Sequence, residues 1–159
     1  MPLRAKVLTI SDSVARGEVE DRSGPALAEA LQAAGFDVVE QAGTPDGIEA
    51  VSSMLRTLVA DFAGLVITTG GTGFGPRDVT PEATALVVER VAPGLAEAMR
   101  AVSPKGRLSR GVAGAVGKCL VLNTPGSASG AVENLQAVVD VLPHALALLA
   151  GENPHAHGG

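Results

Sequence analysis

Two aspartates of this 159-residue chain stand where a loop runs into a helix: Asp46, in Thr44-Pro45-Asp46, and Asp78, which ends the run GGTGFGPRD from Gly70. Alone, each reads as a helix N-cap, a carboxylate accepting from the unpaired amides of a first turn. Beside the glycine loop a second reading opens. Gly70, Gly71, Thr72 and Gly73 form a stretch whose backbone N–H groups can close on an anion. Two carboxylates next to such backbone suit Mg2+, a hard ion that takes carboxylate oxygens and shares the rest of its shell with phosphate and water. Asp12, in the first loop, is a third candidate. The loop is no Walker A, since no Gly-Lys-Ser/Thr follows. Pro76 stands where a dinucleotide fingerprint needs its third glycine. The plain alternative is a glycine-rich turn, and Arg77-Asp78 beside it favours the anion site.

Three further groups point the same way. Residues 98–131 carry Arg100, Lys105, Arg107, Arg110 and Lys118 and no acid, in a chain of net charge -5. Cations gathered within an acidic protein focus its field on an anion; a solvated patch is the bland alternative. Within that segment, the hydroxyl of Ser109 and the fork of Arg110 suit phosphate or a polar heterocycle. Ser109 makes a poor nucleophile, because His144 is the only histidine outside the tail. Asn123-Thr124-Pro125-Gly126-Ser127 precedes a long helix and offers amide donors at its N-terminus.

These loops need a scaffold that brings them to one edge. Arg4–Ile10 reads as a buried strand, Ser11–Arg22 as a loop, Ser23–Ala34 as a helix and Phe36–Val39 as a strand. A helix follows Asp46, with Ile48, Val51, Leu55, Leu58 and Val59 on its apolar face. Gly64–Thr69 is the third strand. Thr80-Pro81-Glu82 opens a helix with Pro at its first turn. Leu95–Val102 is helical, Lys118–Leu122 is a strand, and a last helix runs from Ser129 to Leu149 with Pro143 kinking or splitting it. Strands apolar on both faces, alternating with helices, predict an α/β fold whose mainly parallel sheet is covered on both sides. Ligands of such sheets bind beyond the carboxyl ends of the strands. One domain is expected over residues 1–150, with 151–159 a disordered tail that holds His155 and His157.

Composition removes whole classes of function. Aromatics amount to Phe36, Phe62 and Phe74, so base stacking is largely unavailable, and the net negative charge disfavours nucleic acid as a partner. Cys119 is the only cysteine, which rules out an intramolecular disulfide. No apolar run approaches the roughly 18 residues of a membrane span. The stretch after Arg4 and Lys6 is too short for a signal peptide. A cytoplasmic protein is expected.

GGTGFGPRDVTPEA (70–83), LSRGVAG (108–114), NTPGSASGAVENL (123–135), SDSVARGEVEDRSGPAL (11–27) and the Thr44-Pro45-Asp46 turn together resemble the MoaB/Mog family of molybdenum-cofactor biosynthesis. The likeness spans residues 4–149 in the family's motif order. It implies a three-layer α/β/α sandwich, commonly a homotrimer, and the activity of a molybdopterin adenylyltransferase. ATP with Mg2+ would give AMP to the terminal phosphate of molybdopterin, releasing pyrophosphate. The product would pass to a molybdate-insertion protein, and this chain is expected to supply only the adenylylation half. Carried over by motif, Asp46 and Asp78 match the family's functional carboxylates and Ser109 the serine of the LSR motif. The resemblance then suggests Gly71–Gly73 as the phosphate cradle and Arg107 or Arg110 on the pterin-side phosphate. Ser11, Asp12 and Ser109 are assigned to the pterin end, and Asn123, Pro125, Gly126 and Ser127 to the substrate turn.

The chain departs from the family pattern at Gly47, where many relatives carry an acid, and at Thr124 and Ala128 of the Pro-Gly turn. These changes bear on the shape of the nucleotide pocket and leave the reaction class standing. Two other readings remain: a member acting on another phosphorylated pterin or nucleotide, and a non-catalytic molybdopterin-binding scaffold like the related domain of gephyrin.

Overall fold

The computed structural model describes residues 2–153. His155, His157 and most of the expected tail lie outside them. In chain order the elements are β1 (Leu3–Ile10), α1 (Asp12–Ala15), α2 (Ser23–Ala33), β2 (Phe36–Thr44), α3 (Ile48–Val59), β3 (Gly64–Thr69), α4 (Thr80–Ala85), β4 (Arg90–Val91), α5 (Pro93–Arg100), β5 (Ala113–Val116), β6 (Cys119–Thr124), α6 (Ala128–Val138) and α7 (Leu142–Leu149).

The sheet order is β2-β1-β3-β6-β5-β4. β2, β1, β3 and β6 run parallel, whereas β5 and β4 close the sheet as an antiparallel edge. Alternate residues of each strand face opposite sides. Val7, Leu65, Ile67, Leu120 and Leu122 join a core that includes Leu27 and Leu31 of α2, Met99 of α5, Leu135 of α6 and Leu142 of α7. Leu8, Ile10, Val66 and Val121 join a second core with Val51 and Leu55 of α3 and Ala83 of α4. The result is the expected three-layer sandwich. Each fully buried aliphatic side chain contributes roughly 1.5–3 kcal/mol over its exposed state, and aliphatic burial on both faces does the work that aromatics do elsewhere.

The elements differ from expectation in instructive places. β4 and β5 are two and four residues long and too short to show a period. The first loop holds a single turn, α1, whose cap is Ser11: its Oγ accepts from the Val14 amide at 3.2 Å. α2 is capped by Asp21 from outside the helix, through the Gly24 amide at 3.0 Å. α5 begins at Pro93, two residues before the expected start, because a proline costs nothing at the first turn. The stretch Ala128–Leu149 has the length and composition of a membrane span, against the expectation that no apolar run approaches one. A 3-10 turn at Val139–Val141 and Pro143 divide it, and Leu135, Val138, Leu142 and Leu146 pack into the core.

Cys119 is fully buried in β6, with Sγ 2.9 Å from the Phe62 carbonyl oxygen. Asn123, expected on the substrate turn, lies within β6 and is 2% exposed. Its Oδ1 accepts from the Val112 amide at 3.0 Å, and its Nδ2 donates to the Thr68 and Thr84 hydroxyls, each at 3.0 Å. This one amide therefore stitches β3, β6 and α4 to the chain entering β5. Asn123→Ala leaves buried partners unsatisfied and should lower the unfolding free energy by about 2–4 kcal/mol, read from the urea midpoint at unchanged m-value.

Candidate active site

β1 leads to β2 on one side of the sheet and β3 lies on the other, so the crevice at the carboxyl ends of β1 and β3 is a topological switch point. The loops after β1, β2, β3 and β6 all open there. Gly70 sits at their meeting point with φ 109°. Its amide donates to the Thr124 carbonyl at 3.1 Å. A Cβ there would collide with the Ile10 carbonyl, and Gly126 lies just opposite.

The glycine loop acquires its chemistry from the partners of its carbonyls. Gly70 O accepts from the Thr80 hydroxyl at 3.0 Å and Gly71 O from the Thr80 amide at 3.1 Å. Thr72 O accepts from the Arg110 amide at 2.9 Å and Gly73 O from Arg110 Nε at 2.8 Å. Four consecutive carbonyls are thus committed to Thr80 and Arg110. An anion approaching Gly71–Gly73 meets a backbone whose lone pairs are already engaged. Thr80, the first residue of α4, is the buried bolt behind the loop.

Two cavities share this loop as a wall. One, of about 800 Å³, is lined by Thr72, Gly73, Lys105, Ser109, Pro125 and Glu133 among others. The second, of about 700 Å³, is lined by Ser11, Asp21, Asp46, Thr69 and Gly70 among others. Gly71, Asp78, Gly126, Ser127 and Ser129 line both. The N-terminus of the 11-residue α6, capped by Ser127 through the Gly130 amide at 3.1 Å, thereby faces the same ridge.

Asp46 and Asp78 are brought together as expected, both half-buried and both on the second cavity. Asp46 is no cap. Its Oδ2 accepts from the Asp12 amide at 2.9 Å, while Asp12 Oδ1 accepts from the Asp46 amide at 3.1 Å. Its Oδ1 lies 3.0 Å from where a Gly71 Cβ would stand, and Asp78 Oδ2 lies 3.1 Å from the corresponding point at Gly73. Asp78 Oδ2 also accepts from the Gly75 amide at 2.9 Å, and glycine at 71 and 73 lets the loop backbone come close to both carboxylates. Among the described residues no group of three or more His, Cys, Asp or Glu converges as a ready-made metal cage. Two hard oxygen donors beside an anion cradle fit an ion that completes its shell from substrate and water.

Several expected binding groups sit elsewhere. Ser11 and Ser109, both assigned to one end, line different cavities. Asp12 spends its carboxylate on Arg77 and the Asp46 amide. Arg110 turns to the loop: besides Gly73 O it donates to Asp78 O and pairs with Glu82 at 2.6 Å. Arg107, on a 3-10 turn, donates to Pro104 O at 3.1 Å and lines neither cavity. Arg100 donates to Gly111 O at 2.8 Å, and Lys118 lies at the opposite end of the sheet beside Gly64. Of the basic segment, Lys105 alone reaches a cavity of the site. Clustering in sequence is not clustering in space.

Burial pushes the Asp46 carboxyl above the usual aspartate range, helped by the neighbouring charges of Asp12 and Asp78. The Arg77 hydrogen bond holds Asp12 below it. The signs are opposite. Asp46 contributes stability below its unfolded pKa that is lost as pH rises through its raised folded value. Asp12 contributes stability above its unfolded pKa that is lost as pH falls through its lowered one. Carboxyl-carbon NMR titration should give a midpoint above the ordinary aspartate value for Asp46 and below it for Asp12, with Asp78→Asn lowering the Asp46 midpoint. An Asp46 midpoint at or below the ordinary value would contradict this electrostatic picture.

Known proteins share this architecture. The family model described as "Probable molybdopterin binding domain" matches residues 6–144. A molybdopterin adenylyltransferase of Helicobacter pylori is 38% identical over 154 residues, covering 91% of this chain and 86% of that protein. The crystal structure of the molybdopterin biosynthesis enzyme MoaB from Thermus thermophilus superposes with a TM-score of 0.89 at 45% identity, covering 94% of this chain and 98% of that one. The chain spans about half the length of a bifunctional molybdenum cofactor biosynthesis protein of Chlorobaculum tepidum, at 36% identity over 153 residues, 94% of this chain and 49% of that protein. A family match across nearly the whole sandwich, with the glycine loop and both carboxylates inside it, shows that this chain belongs to the molybdopterin-binding domain family of molybdenum-cofactor biosynthesis.

Proposed function

We propose that this protein is a molybdopterin adenylyltransferase, moving AMP from ATP to the terminal phosphate of molybdopterin with release of pyrophosphate. One observation carries the reading: two adjoining cavities meet at a ridge of engaged-carbonyl glycine backbone, with Asp78 reachable from both and Asp46 from one. A reaction that joins two phosphate-bearing ligands needs that arrangement. The relatives named for this activity support it.

The cavity with Ser109 and Lys105 takes the pterin, Ser109 offering a hydroxyl to its polar edge and Lys105 a charge to its phosphate. The cavity with Ser11 and Asp46 takes the nucleotide, so Ser11 moves from the pterin end to the nucleotide end. A phosphate oxygen of molybdopterin attacks the α-phosphorus in line. The bond from that phosphorus to the β-phosphate oxygen breaks, the electron pair leaves on pyrophosphate, and a phosphoanhydride forms. No side chain becomes covalently attached. The chain contributes position and charge compensation. The Gly71–Gly73 stretch and the first turn of α6 hold phosphate oxygens where the two ligands touch. Asp46 and Asp78 are the residues that would hold Mg2+, which when bound offsets negative charge on the α-phosphate and on the leaving group.

The same reading expects a homotrimer in the cytoplasm that hands its product to a molybdate-inserting partner. Exposed Leu86 and Val91 beside the β4 edge supply apolar surface for contact between copies. Light scattering after size exclusion checks it, and a clean monomer contradicts it.

Incubation with Mg2+, α-phosphate-labelled ATP and molybdopterin should move label to the pterin with matching pyrophosphate. Asp78→Asn should cut turnover by more than about tenfold while molybdopterin binding largely survives. Tight pterin binding without label transfer would make the protein a carrier. Equal loss of binding and rate in Asp78→Asn would remove that residue from the chemical step.

A further inference from the structure

Arg77 is exposed and lies on the glycine loop, yet it reaches across to the two loops that follow β1 and β2. Its Nε donates to Asp12 Oδ2 at 3.0 Å and its Nη2 to Asp12 Oδ1 at 3.2 Å. The same Nη2 donates to the Asp46 carbonyl at 2.7 Å. Three of the five donors of a guanidinium are therefore spent on the chain itself. Beneath the fork, Asp12 and Asp46 each accept from the other's backbone amide, at 3.1 and 2.9 Å. That reciprocal pairing ties the two loops together, and Arg77 closes it from above through the Asp12 carboxylate and the Asp46 carbonyl.

The consequence falls on Asp46. With Oδ2 tied to the Asp12 amide, its rotamer is set and Oδ1 is left toward Gly71 and the nucleotide cavity. Gly47 takes part as well. It adopts φ 125°, a conformation that side chains rarely take, and a Cβ there would lie 3.8 Å from Arg77 Nη2. Gly47 thus lets the turn pass under the guanidinium and offer it the Asp46 carbonyl.

We propose that Arg77 is a positioning residue: its fork locks the Asp12–Asp46 pair across three loops and so aims the Asp46 carboxylate at the reacting phosphates. The inference rests on the adenylylation reading for its kinetic part and on geometry alone for the lock. Arg77 touches neither cavity as a lining residue. An exposed ion pair adds little to global stability, so Arg77→Met keeps the fold.

The test is made on the full chain with two readouts. In native-state hydrogen exchange, Arg77→Met should speed exchange at the Asp12 and Asp46 amides by about tenfold or more, while β3 amides keep their protection. In AMP transfer, kcat should fall by about 10- to 100-fold with KM for ATP and for molybdopterin within about twofold of the parent. Arg77→Lys restores charge without the planar fork and should stay within about threefold of Arg77→Met. Unchanged exchange at both amides overturns the lock. A raised KM with unchanged kcat overturns positioning and makes Arg77 a binding group, and full recovery by Lys overturns the role of the fork. If the parent protein transfers no AMP, the adenylylation reading fails and the exchange result alone decides for or against the lock.

Discussion

Gly70 is where three strand ends meet with no side chain between them. Its α-carbon is pressed toward the Ile10 carbonyl, its amide holds Thr124 and its neighbour across the gap is Gly126. Any larger residue would push β1 and β3 apart at their carboxyl ends. The approach of Asp46 to the glycine loop, the shared wall of the two cavities and the position of the α6 N-terminus all follow from that closeness. A backbone conformation with φ 109° is the cost, and only glycine meets it without strain.

Around this point the protein uses its arginines in an unexpected way. A loop that binds anions needs its carbonyls turned away, and turned carbonyls need donors. Arg110 and Thr80 supply them at four consecutive residues, and Arg77 does the same for the Asp46 carbonyl. The positive charge near the site is thus spent on shaping backbone, and of the basic segment Lys105 is left on the wall of one of the two cavities. In the adenylylation proposed above, fixed dipoles of this kind would need no rearrangement as charge develops. Burial works alongside them: it raises the Asp46 carboxyl, so a nearby cation or an engaged amide has a larger effect there than at the surface.

The long parallel strands and the main helices were legible because their periods are: apolar runs for β1, β3 and β6, and a 3.6-residue stripe on α3. β4 and β5 were not, since strands of two and four residues carry no period. They exist because β6 offers an edge to pair with. Asp46 and Asp78 were legible as a pair from the glycine loop and the topology of parallel sheets. That Asn123 is a buried hydrogen-bonding hub and that Arg110 turns to the glycine loop was not legible, because a turn motif and such a hub look alike in one dimension and an arginine beside a serine carries no mark of which way it faces.

From the amino acids alone came the layer order, the motifs, the family resemblance and the edge of the sheet on which chemistry must occur, since periodicity, glycine conformation and strand direction are local properties. Only the folded chain decided which charges reach the site. Five cations of one acid-free segment were dispersed by the folded chain, leaving Lys105 alone among them on the two cavities of the site, while Asp12, Asp46 and Arg77, from three different loops, came within hydrogen-bonding distance. Side-chain direction depends on the turn that carries it and on the partners it finds across the sheet edge, and neither is encoded in spacing along the chain.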